Sequence, residues 1–283
     1  REQETDTTSD MPMLGLPITT RGDLRLRKRR TRPRGTIRKA KTPKSRLPYV
    51  IYLPPHYDPQ KKYPILYHLH GVGYKLSCLK KDIQCIAMHH EKKNNDDQRI
   101  IVGPYDTTQY SMWSDGRETC MQTRILQELI PHIESLYSID KDRRHLQGFG
   151  MGGFGAMTMG FRYSNLFSKI VVLDGVFYTW RTLLERRPWI AEGQFGNSET
   201  QFQSYSPWDA AAEKAAETST SEILQFVGSM AMMEQMGREM QRYLTKLEVD
   251  KQLTFVETDL PHSLRAFYDV YYATVIHEFL IKE

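Results

Sequence analysis

Five glycines fall within nine residues, Gly148-Phe149-Gly150-Met151-Gly152-Gly153-Phe154-Gly155-Ala156, and this segment constrains the fold more than any other. It follows Arg143–Gly150, whose apolar end reads as a strand, and it opens Met151–Tyr163, a helix built largely from small residues. Glycine at this density is favoured where a chain turns sharply and where a helix lies close on its neighbours, because a missing Cβ permits both. A strand that ends in a tight turn and feeds a close-packed helix is a unit of an α/β sheet.

The flanking pattern agrees. Pro48–Pro54, Tyr63–His70, Arg99–Tyr105, Lys169–Val176, Ser221–Gly228 and Leu253–Thr258 are short apolar runs, as strands buried on both faces are. Between them, Thr119–Tyr137, Met232–Leu247 and Ser263–Leu280 carry apolar residues at helical spacing. The expected fold class is therefore α/β, a mostly parallel central sheet with helices on both faces. Trp180–Trp208 breaks the alternation and is expected to be an insertion over the C-terminal edge of the sheet, where pockets form. Residues 35–283 suffice for one such domain, and residues 1–34 read as a flexible, basic extension.

The glycine segment also has the strand-to-helix context of the nucleophile elbow G-x-S-x-G, with glycine at the central position. Other motifs carry a family resemblance. Tyr52-Leu53-Pro54-Pro55-His56-Tyr57 is similar to Y-L-P-P-G-Y, and Tyr63 to Gly71 is similar to Y-P-x-L-Y-x-L-H-G. Gly148 to Ala156 matches G-F-S-M-G-G-x-G-A at every fixed position except the serine. With Tyr205-Ser206-Pro207-Trp208 and Pro261-His262-Ser263, the chain from about Gly35 onward resembles the serine-esterase family of the α/β-hydrolase fold, which includes feruloyl esterases, esterase D and the antigen 85 mycolyltransferases.

The resemblance implies a catalytic triad and locates its positions. The nucleophile position is Gly150, the base is His262 after the last strand, and the acid position, three residues beyond Gly228, is Ala231. Two of the three members are thus expected to be lost. Glycine has no side chain to attack with, and loss of a triad nucleophile costs on the order of 10⁶ in kcat. Without a carboxylate partner His262 would be loosely oriented, so its action as a base toward water is expected to be poor. Glu234, one turn beyond Ala231, is displaced by about 5 Å and is a weak substitute. On this reading Gly150→Ser alone restores little activity. The fold itself is expected to survive, since glycine relaxes a turn that other residues adopt at a cost of about 1–3 kcal/mol.

The rest of the expected pocket follows from the resemblance for the oxyanion donors and, for the lining, from the loop after the third strand, which falls near the C-terminal edge of the sheet. The backbone N–H of Met151 and one from Gly71 or Val72 would form the oxyanion hole, and Trp113 and Asp115 would line the acyl or leaving-group side. Trp180 and Trp189 are further candidates, although ordinary packing explains a tryptophan as well. His89, His90 and His132 show no metal-ligand spacing and read as surface or helix residues; no metal and no cofactor are expected.

Charge is unevenly distributed. Arg21–Arg46 holds 13 Lys/Arg against one acid, Asp23, a local charge of +12 that leaves the rest of the chain at −7. The strip contains no aromatic residue, so it reads as a solvated arm or edge strand before it reads as a nucleic-acid module. Nucleic acid is not the expected partner, and no run of apolar residues is long enough to span a bilayer. Three cysteines, Cys78, Cys85 and Cys120, make no disulfide framework. A start at Arg1 is compatible with a removed secretion signal, hence with a secreted or periplasmic protein, but the polar opening carries nothing that decides it.

Three functional readings follow. The first is a non-hydrolytic esterase homologue that binds or otherwise transforms a small acyl or ester-like ligand. The second is a carboxylesterase of feruloyl or acetyl type inactivated by a serine-to-glycine exchange. The third is an interaction protein whose basic arm binds a polyanion.

Overall fold

The computed structural model describes residues 32–92, 98–214, 221–249 and 252–282. The chain from Arg32 onward forms one compact unit. Of the expected basic extension, residues 1–31 lie outside the described residues.

Strands β1 (Thr36–Lys41), β2 (Pro48–Leu53), β3 (Tyr63–Leu69), β4 (Ile100–Pro104), β5 (Ile139–Phe149), β6 (Lys169–Leu173), β7 (Glu222–Val227) and β8 (Leu253–Glu257) make one sheet in the order β1-β2-β4-β3-β5-β6-β7-β8. Pairings β1–β2 and β2–β4 are antiparallel, and all others are parallel. Helix α1 (Leu76–Lys92) crosses from β3 to β4. Helices α2 (Met121–Arg124) and α3 (Ile130–Leu136), joined by a π-helical turn at Ile125–Leu129, lead to β5. Helix α4 (Met151–Arg162) follows β5. The expected insertion is built from α5 (Trp180–Arg186), α6 (Pro188–Gly193), α7 (Glu199–Gln203) and the start of α8 (Pro207–Lys214). Helix α9 (Ala231–Lys246) lies between β7 and β8, and α10 (Leu264–Tyr271), a π-helical turn and α11 (His277–Ile281) close the chain.

The near-continuous apolar strands have a simple cause: both faces of the sheet are covered. Alternate residues of one strand enter different cores. Ile65, Tyr67 and Leu69 of β3 pack on the side of α4 and α9, with Phe154, Met157 and Met240. Leu66 packs on the other side with Ile83 of α1 and Phe267 of α10. Helix α4 comes close enough that a Cβ on Gly152 would sit 1.9 Å from the backbone oxygen of Leu69. That contact fixes where β5 ends and where the turn after it points.

One local expectation is corrected in part, and the described part of the basic strip takes the edge-strand form expected of it. His89 and His90 lie on α1 as a helix reading requires, but they are buried rather than superficial. His89 donates from Nδ1 to the Cys85 carbonyl at 2.8 Å and meets Asp269 at 2.9 Å, while the His90 ring packs edge-on against Tyr272. The described part of the basic strip forms the exposed sheet edge β1 and its turn to β2, with Arg38, Lys39, Lys41, Lys44 and Arg46 in solvent. Charged side chains on an open edge discourage pairing with another chain. Among the described residues no helix is long and apolar enough to cross a membrane.

Candidate active site

Gly150 is the single residue between β5 and α4, and its backbone has φ 55° and ψ −114°. A side chain rarely adopts that positive φ, which is why glycine suits it. The turn is held on three sides: the Gly150 N–H donates to the Leu173 carbonyl at 3.1 Å, and the Gly150 carbonyl accepts from Gly153 at 2.9 Å and from Val176 at 3.1 Å. A Cβ at Gly150 would lie 3.2 Å from Nε2 and 3.4 Å from Cε1 of His262, and 3.8 Å from the Gly71 Cα. The turn therefore aims at the histidine and at the loop after β3.

His262 stands in the loop between β8 and α10, its ring stacked on Phe149 with centroids 4.4 Å apart. Its Nδ1 is 2.5 Å from Oδ2 of Asp174. Asp174 follows β6 directly and is fully buried. A buried carboxylate needs partners, and here both oxygens have them, since Oδ1 accepts from the Gly228 N–H at 2.9 Å. The carboxylate only accepts, so Nδ1 carries the hydrogen and Nε2 is left facing Gly150.

The carboxylate that meets His262 thus comes from a position other than Ala231, where the acid was expected. Ala231 is an exposed first residue of α9, and Glu234 pairs with Arg238 at 2.9 Å on the same helix. The carboxylate on His262 comes from the end of β6, one strand nearer the Gly150 turn than expected. A sequence signal for it existed: Lys169–Asp174 is a buried apolar run that ends in a lone acid before Gly175. An aspartate there has no reason to be buried unless something pairs with it.

The loop after β3 presents the other candidate donors. His70 is fully buried, with Tyr74 stacked on it and Trp113 edge-on at 4.9 Å. Its Nε2 accepts from the Asp106 N–H at 3.0 Å, so its hydrogen sits on Nδ1 and is donated to the Gly71 carbonyl at 2.7 Å. Burial pushes the His70 pKa down to about 4 and keeps the ring neutral. In a trans peptide the C=O and N–H point opposite ways, so fixing the Gly71 oxygen turns the Val72 N–H away from His70. Gly73 is tied in turn to the Gln109 carbonyl at 2.9 Å. Met151 is the first residue of α4, where helix N–H groups have no partner within the helix.

Trp113 and Asp115 are placed differently from that pocket lining. Trp113 is buried between His70, whose carbonyl accepts from its Nε1 at 3.1 Å, and Gly155 of α4. The Asp115 carboxylate is taken up by the N–H of Thr123 at 3.0 Å and its hydroxyl at 2.5 Å. Trp180 packs on Phe202, and Trp189, 48% exposed, stands edge-on to Tyr110. Among the described residues no three His, Cys, Asp or Glu side chains are grouped to hold a metal.

The family model described as "Putative esterase" matches residues 40–277. Among solved structures the chain is similar to the fluorophosphonate-binding serine hydrolase F of Staphylococcus aureus, with 17% identity over 89% of this chain and 100% of the other and a TM-score of 0.74. It is similar to a ferulic acid esterase, with 18% identity over 87% and 97% and a TM-score of 0.71. It is also similar to the S-formylglutathione hydrolase FrmB of S. aureus, with 16% identity over 87% and 98% and a TM-score of 0.70. At such identities these likenesses establish the α/β-hydrolase fold.

Proposed function

The chain belongs to the esterase family, and from that premise we propose that it binds a small acyl or ester-like ligand at Gly150 and acts on it through His262 and Asp174, without a serine acyl-enzyme. The observation that carries this reading is the 2.5 Å contact between Asp174 and His262, with Nε2 of the same ring directed at Gly150. In this reading Gly150 holds the place of the nucleophile in the elbow turn. The N–H groups of Met151 and Val72 serve as oxyanion donors for a carbonyl oxygen seated between them. Gly150 brings no nucleophile, so a covalent acyl intermediate on residue 150 is excluded by composition.

Asp174 changes the argument about His262. The reason to expect a loose, ineffective base was the absence of a carboxylate, and a carboxylate is in place. It also reverses the expected outcome for Gly150→Ser, because that single exchange completes a Ser–His–Asp set. The test compares the parent chain with Gly150→Ser in two assays, labelling by a fluorophosphonate probe and hydrolysis of short acyl and feruloyl esters. The expected result is an unlabelled parent and a labelled, hydrolytic serine variant. No labelling and no hydrolysis by Gly150→Ser sinks the assignment of the site.

The retained pair supports a second reading, a carboxylesterase of feruloyl or acetyl type whose serine has been exchanged for glycine. Brisk turnover by Gly150→Ser, beside a parent that neither binds nor transforms any acyl ligand, selects it.

A further inference from the structure

We infer that His262, oriented by Asp174, activates a water molecule in front of Gly150 for direct hydrolysis of an acyl ester, with no covalent enzyme intermediate. The inference rests on the reading of Gly150 as the ligand site and adds to it the nucleophile and the bond cleaved.

A Cβ at Gly150 would lie 3.2 Å from Nε2 and 3.4 Å from Cε1, so a side chain there stands against the base. Glycine therefore does more than remove a hydroxyl. It leaves the approach to Nε2 free of any side chain of residue 150, so that a water oxygen can come to hydrogen-bond distance of the ring nitrogen. The base is ready for that role: Asp174 occupies Nδ1, Phe149 supports the ring face, and Nε2 presents a lone pair.

The step balances as follows. The water oxygen bonds to the acyl carbon while one of its protons passes to Nε2 of His262. The carbonyl oxygen becomes an oxyanion facing the Val72 and Met151 N–H groups. The tetrahedral species then expels the alkoxide, which takes the proton from Nε2 and leaves as the alcohol. The acid remains, neither residue 150 nor the histidine has been acylated, and no oxidant or other co-reactant enters.

The test uses p-nitrophenyl acetate with the full chain. Steady-state hydrolysis by the parent should show no burst of nitrophenolate and should persist after fluorophosphonate treatment. His262→Ala should lower it by about 10²-fold or more, the usual contribution of a positioned base. Gly150→Ala, which puts a methyl carbon 3.2 Å from Nε2 and so screens the base from water, should fall to the same level. Gly150→Ser should instead give a burst and be labelled. Parent turnover equal to that of His262→Ala, full activity in a folded Gly150→Ala, or a burst from the parent each overturns direct attack by water. Should Gly150→Ala fail to fold, the parent's burst and the His262→Ala rate decide alone. If the serine variant bursts while the parent shows no His262-dependent turnover, water attack falls and the ligand site stands. If both are silent, the site assignment falls with it.

Discussion

Asp174 and His262 meet at 2.5 Å although 88 residues separate them in the chain. Asp174 reaches the histidine from the end of β6, and the Gly228 N–H at the end of β7 holds its second oxygen. The ends of three neighbouring strands, β6, β7 and β8, thus converge on one ring. The carboxylate cannot rotate away without leaving a buried N–H unpaired.

Asp174→Asn keeps the shape of this contact and removes its charge. An asparagine can present either an acceptor or a donor to Nδ1, so the ring no longer has one enforced tautomer. Loss of the orienting carboxylate from a Ser–His–Asp triad costs about 10⁴-fold in kcat. In the Gly150→Ser background, ester hydrolysis by the double variant should fall by about that factor with little change in KM. Equal activity of the single and double variants would show that Asp174 does not orient the base.

Gly150→Ser should fold, at a cost. The residue sits at φ 55°, and a non-glycine side chain there costs about 1–3 kcal/mol. The added Cβ also lies 3.2 Å from Nε2, so His262 must withdraw by a few tenths of an ångström. Chemical denaturation should show a lower midpoint with an unchanged slope. A serine variant as stable as the parent would mean that the turn carries less strain than its dihedral angles imply.

Much of this was legible in the sequence, and the part that was not has a physical reason. The apolar runs announced a sheet covered on both faces, and the strands and helices read from them fall where their periodicity placed them. Helix α1 was not read, because its apolar residues are interleaved with His89, His90, Cys85 and Lys80, and its buried histidines depend on partners across the fold, Asp269 and Tyr272, besides the helix's own Cys85 carbonyl. Gly150 and His262 could be located because each sits at a fixed offset from a strand end. The carboxylate that meets His262 could not be located by the same rule. A carboxylate reaches His262 from either of two adjacent strand ends, and only three-dimensional placement distinguishes Asp174 from a residue after Gly228. Trp113 and Asp115 were assigned to the pocket by their loop, yet that loop turns back on His70 and Thr123.

Gly152→Ala tests the packing that aims the turn. The new Cβ would lie 1.9 Å from the Leu69 backbone oxygen and 3.1 Å from that of His70, and backbone cannot move aside as a flexible side chain can. Helix α4 must then lift from β3, taking the Gly150 turn and the Met151 N–H with it. Overpacking in a core costs about 1–3 kcal/mol or more. The expected result is a marked drop in the denaturation midpoint and, in the Gly150→Ser background, loss of fluorophosphonate labelling. Normal labelling would show that the turn holds its direction without this contact.

His70 gives the fold a defined pH dependence. Burial lowers its pKa from 6.5 to about 4, so between those values the unfolded chain binds a proton that the folded one refuses. Stability should therefore be full above pH 6.5 and fall progressively as the pH drops toward 4. Burial also lowers the pKa of His89, which acts in the same direction. Replacing His70 by glutamine removes one titrating group, so the loss of stability between pH 6.5 and 4 should become shallower without vanishing. The same variant gives up the rigid bridge between the Asp106 N–H and the Gly71 carbonyl. If that bridge sets the direction of the Val72 N–H, His70→Gln in the Gly150→Ser background should lower kcat more than it raises KM, because an oxyanion donor acts mainly in the transition state. A flattened pH profile with unchanged kcat would assign His70 to stability alone.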